Sequence, residues 1–297
     1  MNTPSRFRRF LGKPWREKVD TILYRLVQAF PFVPLPVRLS FGGWWLARND
    51  FIGAALFCGG FENTECSFVE RFLDPGMTVL DVGAHHGFYT LLASRKVGSQ
   101  GRVLAVEASP RESKKLQLHL AINRCKNVQL ECCALGEAEG RAQLHVVLGG
   151  QSGRSSFRNP GASEPTVTIP VHIKCLDSML AAHDIERVDF MKVDVEGGEL
   201  SVLKGGIELL SRRPRPVILL EVQDVRTREW GYPAREIVQF LSTNGYHWFR
   251  PLLGGTLEPI AADAQEYDGN FVAVPEEKVG SLATSDEMPR DEHTIHT

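Results

Sequence analysis

Three short stretches of the chain carry residue types and spacings that can do chemistry. The first is DVGAHHG, Asp81 to Gly87, set between an apolar run and a helical pattern. Gly83 permits a tight turn at a strand end and Gly87 lets the following helix come close to what lies over it. The spacing is G-x-x-x-G, so the G-x-G-x-x-G turn that cradles a dinucleotide pyrophosphate is absent. Asp81 precedes the turn, where a carboxylate would repel phosphate and attract a cation. A cofactor with an ammonium and a sulfonium, S-adenosylmethionine, suits it better than a nicotinamide dinucleotide. The second is Glu107, closing RVLAVE one βα unit later, placed to accept hydrogen bonds from both hydroxyls of a ribose. The third is KVDVEGGE with LLEV after it, which sets Asp194, Glu196 and Glu221 at or just beyond strand ends. Asp194 and Glu196 alternate, so an extended backbone points both to one side. Asp194 is expected to act as base or as a cofactor-side orienter, with Glu196 or Glu221 shaping the acceptor site. The same three could instead hold Mg²⁺ against a vicinal diol. The stronger expectation is that no metal is bound. Glu199 reads as a helix-start residue favoured by the macrodipole. His86, His172 and His183 read as isolated packing or surface histidines.

These residues need a scaffold that brings strand ends together. Apolar runs at Thr78–Val82, Arg102–Glu107, Val128–Cys133, Phe190–Val195 and Val217–Val222 alternate with amphipathic stretches at 88–96, 110–123 and 234–244. Strands near 246–250 and 270–274 close the series. That rhythm is the signature of βαβ units on a parallel sheet with helices on both faces. Extended runs at 142–148 and 167–173 flank the Gly/Ser-rich segment GGQSGRSSFRNPGASEP, long enough to be functional. Its Ser152, Arg154, Ser155, Ser156 and Arg158 are candidates for recognising a polyhydroxylated or anionic acceptor.

At this point EASP after the second strand, CALGE after the third, DVGAHHGFYT and VDFMKVDVEGGELSVLKGG together resemble the FkbM-type family of S-adenosylmethionine-dependent methyltransferases, from about Glu65 to Val274. The resemblance implies a Rossmann-like class I methyltransferase fold: a mostly parallel, seven-stranded sheet ending in an antiparallel hairpin. It implies transfer to a hydroxyl of a sugar, glycolipid or other secondary metabolite. It assigns Asp81, Gly83 and Gly87 to the methionine part of S-adenosylmethionine, Glu107 to its ribose, and the backbone near Ala134 and Leu135 to its adenine. Glu65 matches a recurrent acidic position of that family. The family usually carries Asn where this chain has His85, so His85 must brace the turn or the cofactor with a different reach. A titratable charge there would make cofactor affinity depend on pH near neutrality. A non-catalytic Rossmann-like nucleotide-binding or partner-docking domain is the alternative function, and a nicotinamide-dependent oxidoreductase a weaker one.

Composition sets the outer limits. The 297 residues carry 34 basic and 36 acidic side chains, a formal net charge of -2, and 43% hydrophobic residues. A disordered or fibrous chain is excluded, and near-balance of charge argues against a nucleic-acid track. Six cysteines without CxxC or metal spacing point to reduced thiols and a cytoplasmic protein. Residues 1–60 read as an N-terminal extension, basic and then aromatic, and 61–275 as the methyltransferase domain. Residues 276–297 read as a disordered acidic tail. The stretch with Arg6, Arg8, Arg9, Lys13 and Arg16 interleaves Phe7, Phe10, Leu11 and Trp15, a composition suited to peripheral contact at the inner membrane face. The aromatic group Phe41, Trp44, Trp45, Phe51, Phe57 and Phe61 is expected to pack in a core. Oligomeric state is not legible.

Overall fold

A computed structural model describes residues 15–29, 33–57, 60–158 and 164–283. The chain begins with the helix Trp15–Ala29 and a hairpin of β1 (Leu35–Arg38) and β2 (Trp44–Ala47). Helices Phe51–Phe57 and Asn63–Phe72 lead into β3 (Thr78–Val82). Helix Phe88–Val97, β4 (Arg102–Val106), helix Pro110–Ile122 and β5 (Val128–Glu131) complete the first half. A side layer of β6 (Ala134–Leu135), β7 (Gly140–Val147) and β8 (Thr166–Lys174) intervenes. After helix Leu176–Ala182, β9 (Phe190–Val193) and β10 (Val217–Gln223) return to the main sheet. It is closed by β11 (Tyr246–Pro251), β12 (Leu257–Pro259) and β13 (Asp268–Pro275).

The main sheet runs β12-β11-β13-β10-β9-β3-β4-β5. The five strands from β10 to β5 are mutually parallel, and β13 is antiparallel to both β10 and β11. Seven of these strands are the expected ones, and the three residues of β12 add an eighth at the edge by pairing with β11. Helices cover both faces, which explains why FMKV and VILLEV read as almost unbroken apolar runs. One core gathers Leu80, Met191, Ile218 and Trp248, the other Phe68, Leu92, Phe190 and Val272. The chain leaves β3 toward β4 on one side and comes back as β9 on the other. Ligand crevices of open α/β sheets form beyond the strand carboxyl ends at such a reversal. Asp81, Glu107, Asp194 and Glu221 all lie there.

Both expected ends of the domain shift. Residues 33–57 are part of the core: Trp45 is fully buried, with its ring stacked 4.0 Å from that of His119. Trp44 N–H donates to Asn123 Oδ1 at 2.7 Å, and Asn123 Nδ2 donates back to the Trp44 carbonyl at 2.7 Å. Burial of large aromatic surface ties this segment, read as an extension, to the domain, and the aromatic group packs in a core as its composition implied. Phe51 alone of the six aromatics is largely exposed; Trp44 is exposed to a lesser degree. At the other end Glu276–Ala283 is a helix, not a disordered tail. Its Glu277 pairs with Arg215 at 2.6 Å, and Val279 and Leu282 pack on the core. The basic stretch 6–13 and residues 284–297 lie outside the described residues.

Candidate active site

The glycine turn is built by contacts on two sides. Gly83 has φ +81°, and a Cβ there would stand 1.8 Å from the Asp194 carbonyl oxygen, so the turns after β3 and β9 touch. Gly83 and Ala84 N–H both donate to the Val106 carbonyl, at 2.9 and 3.0 Å. Gly87, φ +88°, has a different task from the one expected: a Cβ would stand 2.1 Å from Leu116 Cδ1, within the packing of helix Phe88–Val97 on helix Pro110–Ile122. It lies behind the turn and does not line the cavity. His85 has φ +49°, a region that Asn, Asp and His enter more readily than other residues with a side chain. Its N–H donates to Glu107 Oε2 at 2.8 Å, and its Nε2 lies 2.9 Å from Ser152 Oγ. Burial, and then His86 beside it, hold the His85 imidazole well below its usual pKa. It is neutral near pH 7, which removes the expected pH dependence through this side chain.

Asp81 is buried, accepts from Thr90 Oγ1 at 2.5 Å, and has its pKa raised chiefly by burial. Glu107 is fixed by its own turn, accepting from the N–H of His85 and, at 2.7 Å, from that of Ser109. Burial pushes its carboxyl up to about 7. Ala134 and Leu135, on β6, are buried and form the opposite wall with Cys133.

The third stretch supplies the floor. Lys192, which sequence reasoning passed over, is buried with Nζ 2.8 Å from Asp194 Oδ2 and 4.7 Å from the centre of the Tyr89 ring. The available signal was a lysine inside the otherwise apolar FMKV strand. One oxygen each of Asp194, Glu196 and Glu221 come within 4.8 Å of one another. The reason differs from strand alternation: β9 stops at Val193, and Glu196 has φ +55°, so a left-handed turn brings it alongside Asp194. Arg226 Nε lies 2.8 Å from Glu196 Oε2. Burial and then the neighbouring Asp194 push Glu196 up to about 8 and Glu221 up to about 10. Glu199 braces the turn, its Oε1 accepting from Val195 and Gly197 N–H at 3.0 and 3.2 Å.

The Gly/Ser-rich segment forms a wall of the site. Ser156 Oγ donates to the Glu196 carbonyl at 3.0 Å, and Trp230 Nε1 donates to the same oxygen at 3.1 Å. Arg158 lies 5.2 Å over the Trp230 ring, Arg154 lines the cavity, and Ser155 Oγ turns back to the Ser152 carbonyl at 2.8 Å. Glu65, on helix Asn63–Phe72, accepts from Asn270 Nδ2 at 3.1 Å, beside the site and not lining it. His86 is not isolated. It is buried, stacks 3.7 Å from His85, and pairs with Glu112, which Lys115 also contacts at 2.7 Å. His183 pairs with Glu131 at 2.9 Å.

Together these residues enclose a cavity of about 520 Å³, within the range of small-molecule sites. Seven carboxylates line it against one lysine and two arginines.

A family model described as Methyltransferase FkbM domain matches residues 81–248. Methyltransferase 1 of Beauveria bassiana is 27% identical over 157 residues, 48% of this chain and 62% of that protein. Methyltransferase sdnD of Sordaria araneosa is 30% identical over 154 residues, 43% of this chain and 59% of that protein. The matches thus span less than two thirds of either relative. The solved O-methyltransferase from Bacillus cereus in complex with SAH aligns over 89% of this chain and 91% of its own, with 14% identity and a TM-score of 0.45. With a matched segment that runs from the glycine turn through β11 and takes in more than half of the sequence, the chain belongs to the FkbM methyltransferase domain family.

Proposed function

We propose that the protein transfers a methyl group from S-adenosylmethionine to a hydroxyl oxygen of a small-molecule or glycan acceptor. The observation that carries this reading is the acid-rich cavity at the chain reversal between β3 and β9, entered past a turn with no phosphate-binding glycine pattern. A cofactor bearing positive charge fits that lining, and a pyrophosphate does not. Asp81 and the turn at Gly83 and His85 would hold the methionine end, Glu107 the ribose, and Ala134 and Leu135 the adenine. Gly87 serves by packing the helix that carries Thr90 and Tyr89.

Bound there, the cofactor supplies an electrophilic methyl group on sulfur. The chain's own part begins with alignment, which is worth about 7–11 kcal/mol in a well-oriented displacement. Asp194, held by Lys192, faces the cavity beside Glu196 and orients the two ligands. Glu196, raised by burial and by Asp194 beside it, lies on the cavity wall against the Arg226 guanidinium at 2.8 Å, a partner that favours its charged form. It takes the acceptor's hydroxyl proton, with Arg226 fixing its position; a base so placed adds roughly 10²- to 10⁴-fold. Glu221, which lacks such a close cation among the described residues and is raised by burial and by Asp194 and Glu196, holds a proton and donates a hydrogen bond to a second acceptor oxygen. This divides roles that the sequence left open among the three acids. The walls at Ser152, Ser156 and Arg154 present donors to a hydroxylated or anionic acceptor.

The test is transfer from methyl-labelled S-adenosylmethionine to hydroxylated fractions of glycan and lipid extracts, with products heavier by one CH₂. Glu196→Gln should lose about 10²-fold or more in turnover while binding S-adenosylhomocysteine within a few-fold of wild type. Binding of that product analogue without transfer to any fraction would favour a non-catalytic domain.

A further inference from the structure

The first 38 residues of the sequence, which open the N-terminal layer, hold eight lysines and arginines against two acidic residues, in a protein of formal net charge -2, and of these eight Arg25 and Arg38 have described side chains, both exposed. Helix Trp15–Ala29 buries Val27 in the core and packs Leu23 against it. On another face it leaves Ile22 50% exposed and Leu26 42% exposed, one turn apart, with Arg25 exposed beside them. The helix packs on helix Phe51–Phe57, which in turn packs on β2. There Trp44 is exposed with the Arg38 guanidinium 5.7 Å over its ring. Phe51 begins the second helix, is 69% exposed, and lines the mouth of the cavity. Its N–H donates to the Gly150 carbonyl of the cavity wall at 3.1 Å. Among the described residues no helix is long and apolar enough to cross a membrane.

We propose that this layer is a docking surface for an anionic lipid bilayer, laid beside the entrance of the cavity. Arg25 beside Ile22 and Leu26, and Arg38 over Trp44, match what an interfacial surface needs: apolar groups for the acyl boundary and cations for acidic headgroups. A nucleic acid would use the cations and leave Ile22 and Leu26 in water. A second copy of the chain would meet the same positive charge. Docking stands independently of the methyl-transfer reading. Where both hold, hydroxyls of headgroups come within reach of the entrance at Phe51.

The experiment is flotation of the full chain with phosphatidylcholine vesicles, with and without phosphatidylglycerol. The protein should float with the anionic vesicles, weakly with the neutral ones, and less as salt is raised from 0.05 to 0.5 M, values on the order of those that screen surface charge. Ile22→Glu with Leu26→Glu should lower partitioning at least tenfold, with the far-ultraviolet spectrum and S-adenosylhomocysteine affinity unchanged. Arg25→Glu, which leaves the apolar pair intact, should lower it about fivefold or more. Three results would overturn the proposal: no flotation on anionic vesicles, equal flotation of these variants, or a wild-type dimer that the double variant converts to monomer without any vesicle binding. Because analogue binding is read separately, failure here leaves the methyl-transfer reading standing, and the reverse also holds.

Discussion

Replacing Lys192 by methionine keeps the length and bulk of the side chain and removes the ammonium from the cavity floor. That ammonium lies 2.8 Å from Asp194, and its charge also favours the ionised forms of Asp81 and Glu62. Removing one partner of a fully buried ion pair costs about 3–5 kcal/mol, whereas an exposed pair is worth at most about 1. The Lys192 side chain is 8% exposed and that of Asp194 is 30% exposed, so the case lies between. A loss of about 2–3 kcal/mol at pH 7.5 is expected, read from urea unfolding. The sign of its pH dependence follows from Glu62, already raised to about 7 by burial with Lys192 opposing the rise. Without Lys192 this carboxyl and Asp81 rise further. Between the unfolded carboxyl range and those raised values the folded variant binds more protons than the unfolded chain, so its stability increases as pH falls. Wild-type Glu62 also takes up its proton near 7, so the gap between variant and wild type should narrow as pH falls from about 9 to about 7 and level off below that. A loss below about 1 kcal/mol, or a gap of equal size at both ends, would refute the claim that Lys192 compensates these acids.

Further outcomes follow from the same geometry. Glu107 sits at about 7 when the site is free, and ribose hydroxyls bond better to its charged form. S-adenosylhomocysteine affinity should therefore fall as pH drops below 7, by up to about tenfold per unit, in calorimetric titrations from about pH 5.5 to 8.5. Glu107→Gln should flatten that profile, and His85→Asn should leave its midpoint in place. Gly87→Ala forces a side chain onto Leu116 at positive φ, so it should cost about 1–3 kcal/mol of stability. The folded fraction should keep its affinity within a few-fold, in contrast to Gly83→Ala, whose Cβ would strike the Asp194 carbonyl. Trp45→Ala should destabilise by about 3–5 kcal/mol. A change under about 1 would mean that residues 33–57 are not part of the folded core.

What was legible in the chain is what local pattern encodes. The runs TVLDV, RVLAV, FMKV and VILLEV alternate with helical periods, the pattern of βαβ units on a parallel sheet, whereas the reversal that puts β9 on the other side of β3 from β4 is not in that pattern. The acids at strand ends were legible for the same reason: a carboxylate at the edge of an apolar run has no packing task there. What escaped depends on long-range contacts. Lys192 looks like a break in a strand until its partners Asp194, Asp81 and Glu62 are seen around it, and they come from three separate segments. Gly87 looked like a ligand contact because Leu116, whose side chain claims the space, is far away in sequence. That Trp45 packs in a core was legible from its type, but its partner His119 was not, because it belongs to a helix far along the chain. The pairing of Glu196 with Asp194 was reached by the wrong route, since a left-handed residue mimicked the alternation of a strand.

The central claim is that the acid-rich hollow between β3 and β9 is a site for a cationic adenosyl cofactor and not for a dinucleotide. Isothermal titration of the full chain with S-adenosylhomocysteine, alongside NADH, tests it most directly. One equivalent of the analogue should bind in the micromolar range, roughly -8 kcal/mol, with Asp81→Ala losing most of that affinity and NADH giving no heat. Saturable binding of NADH, or an Asp81→Ala protein that takes up the analogue as tightly as wild type, would contradict the account.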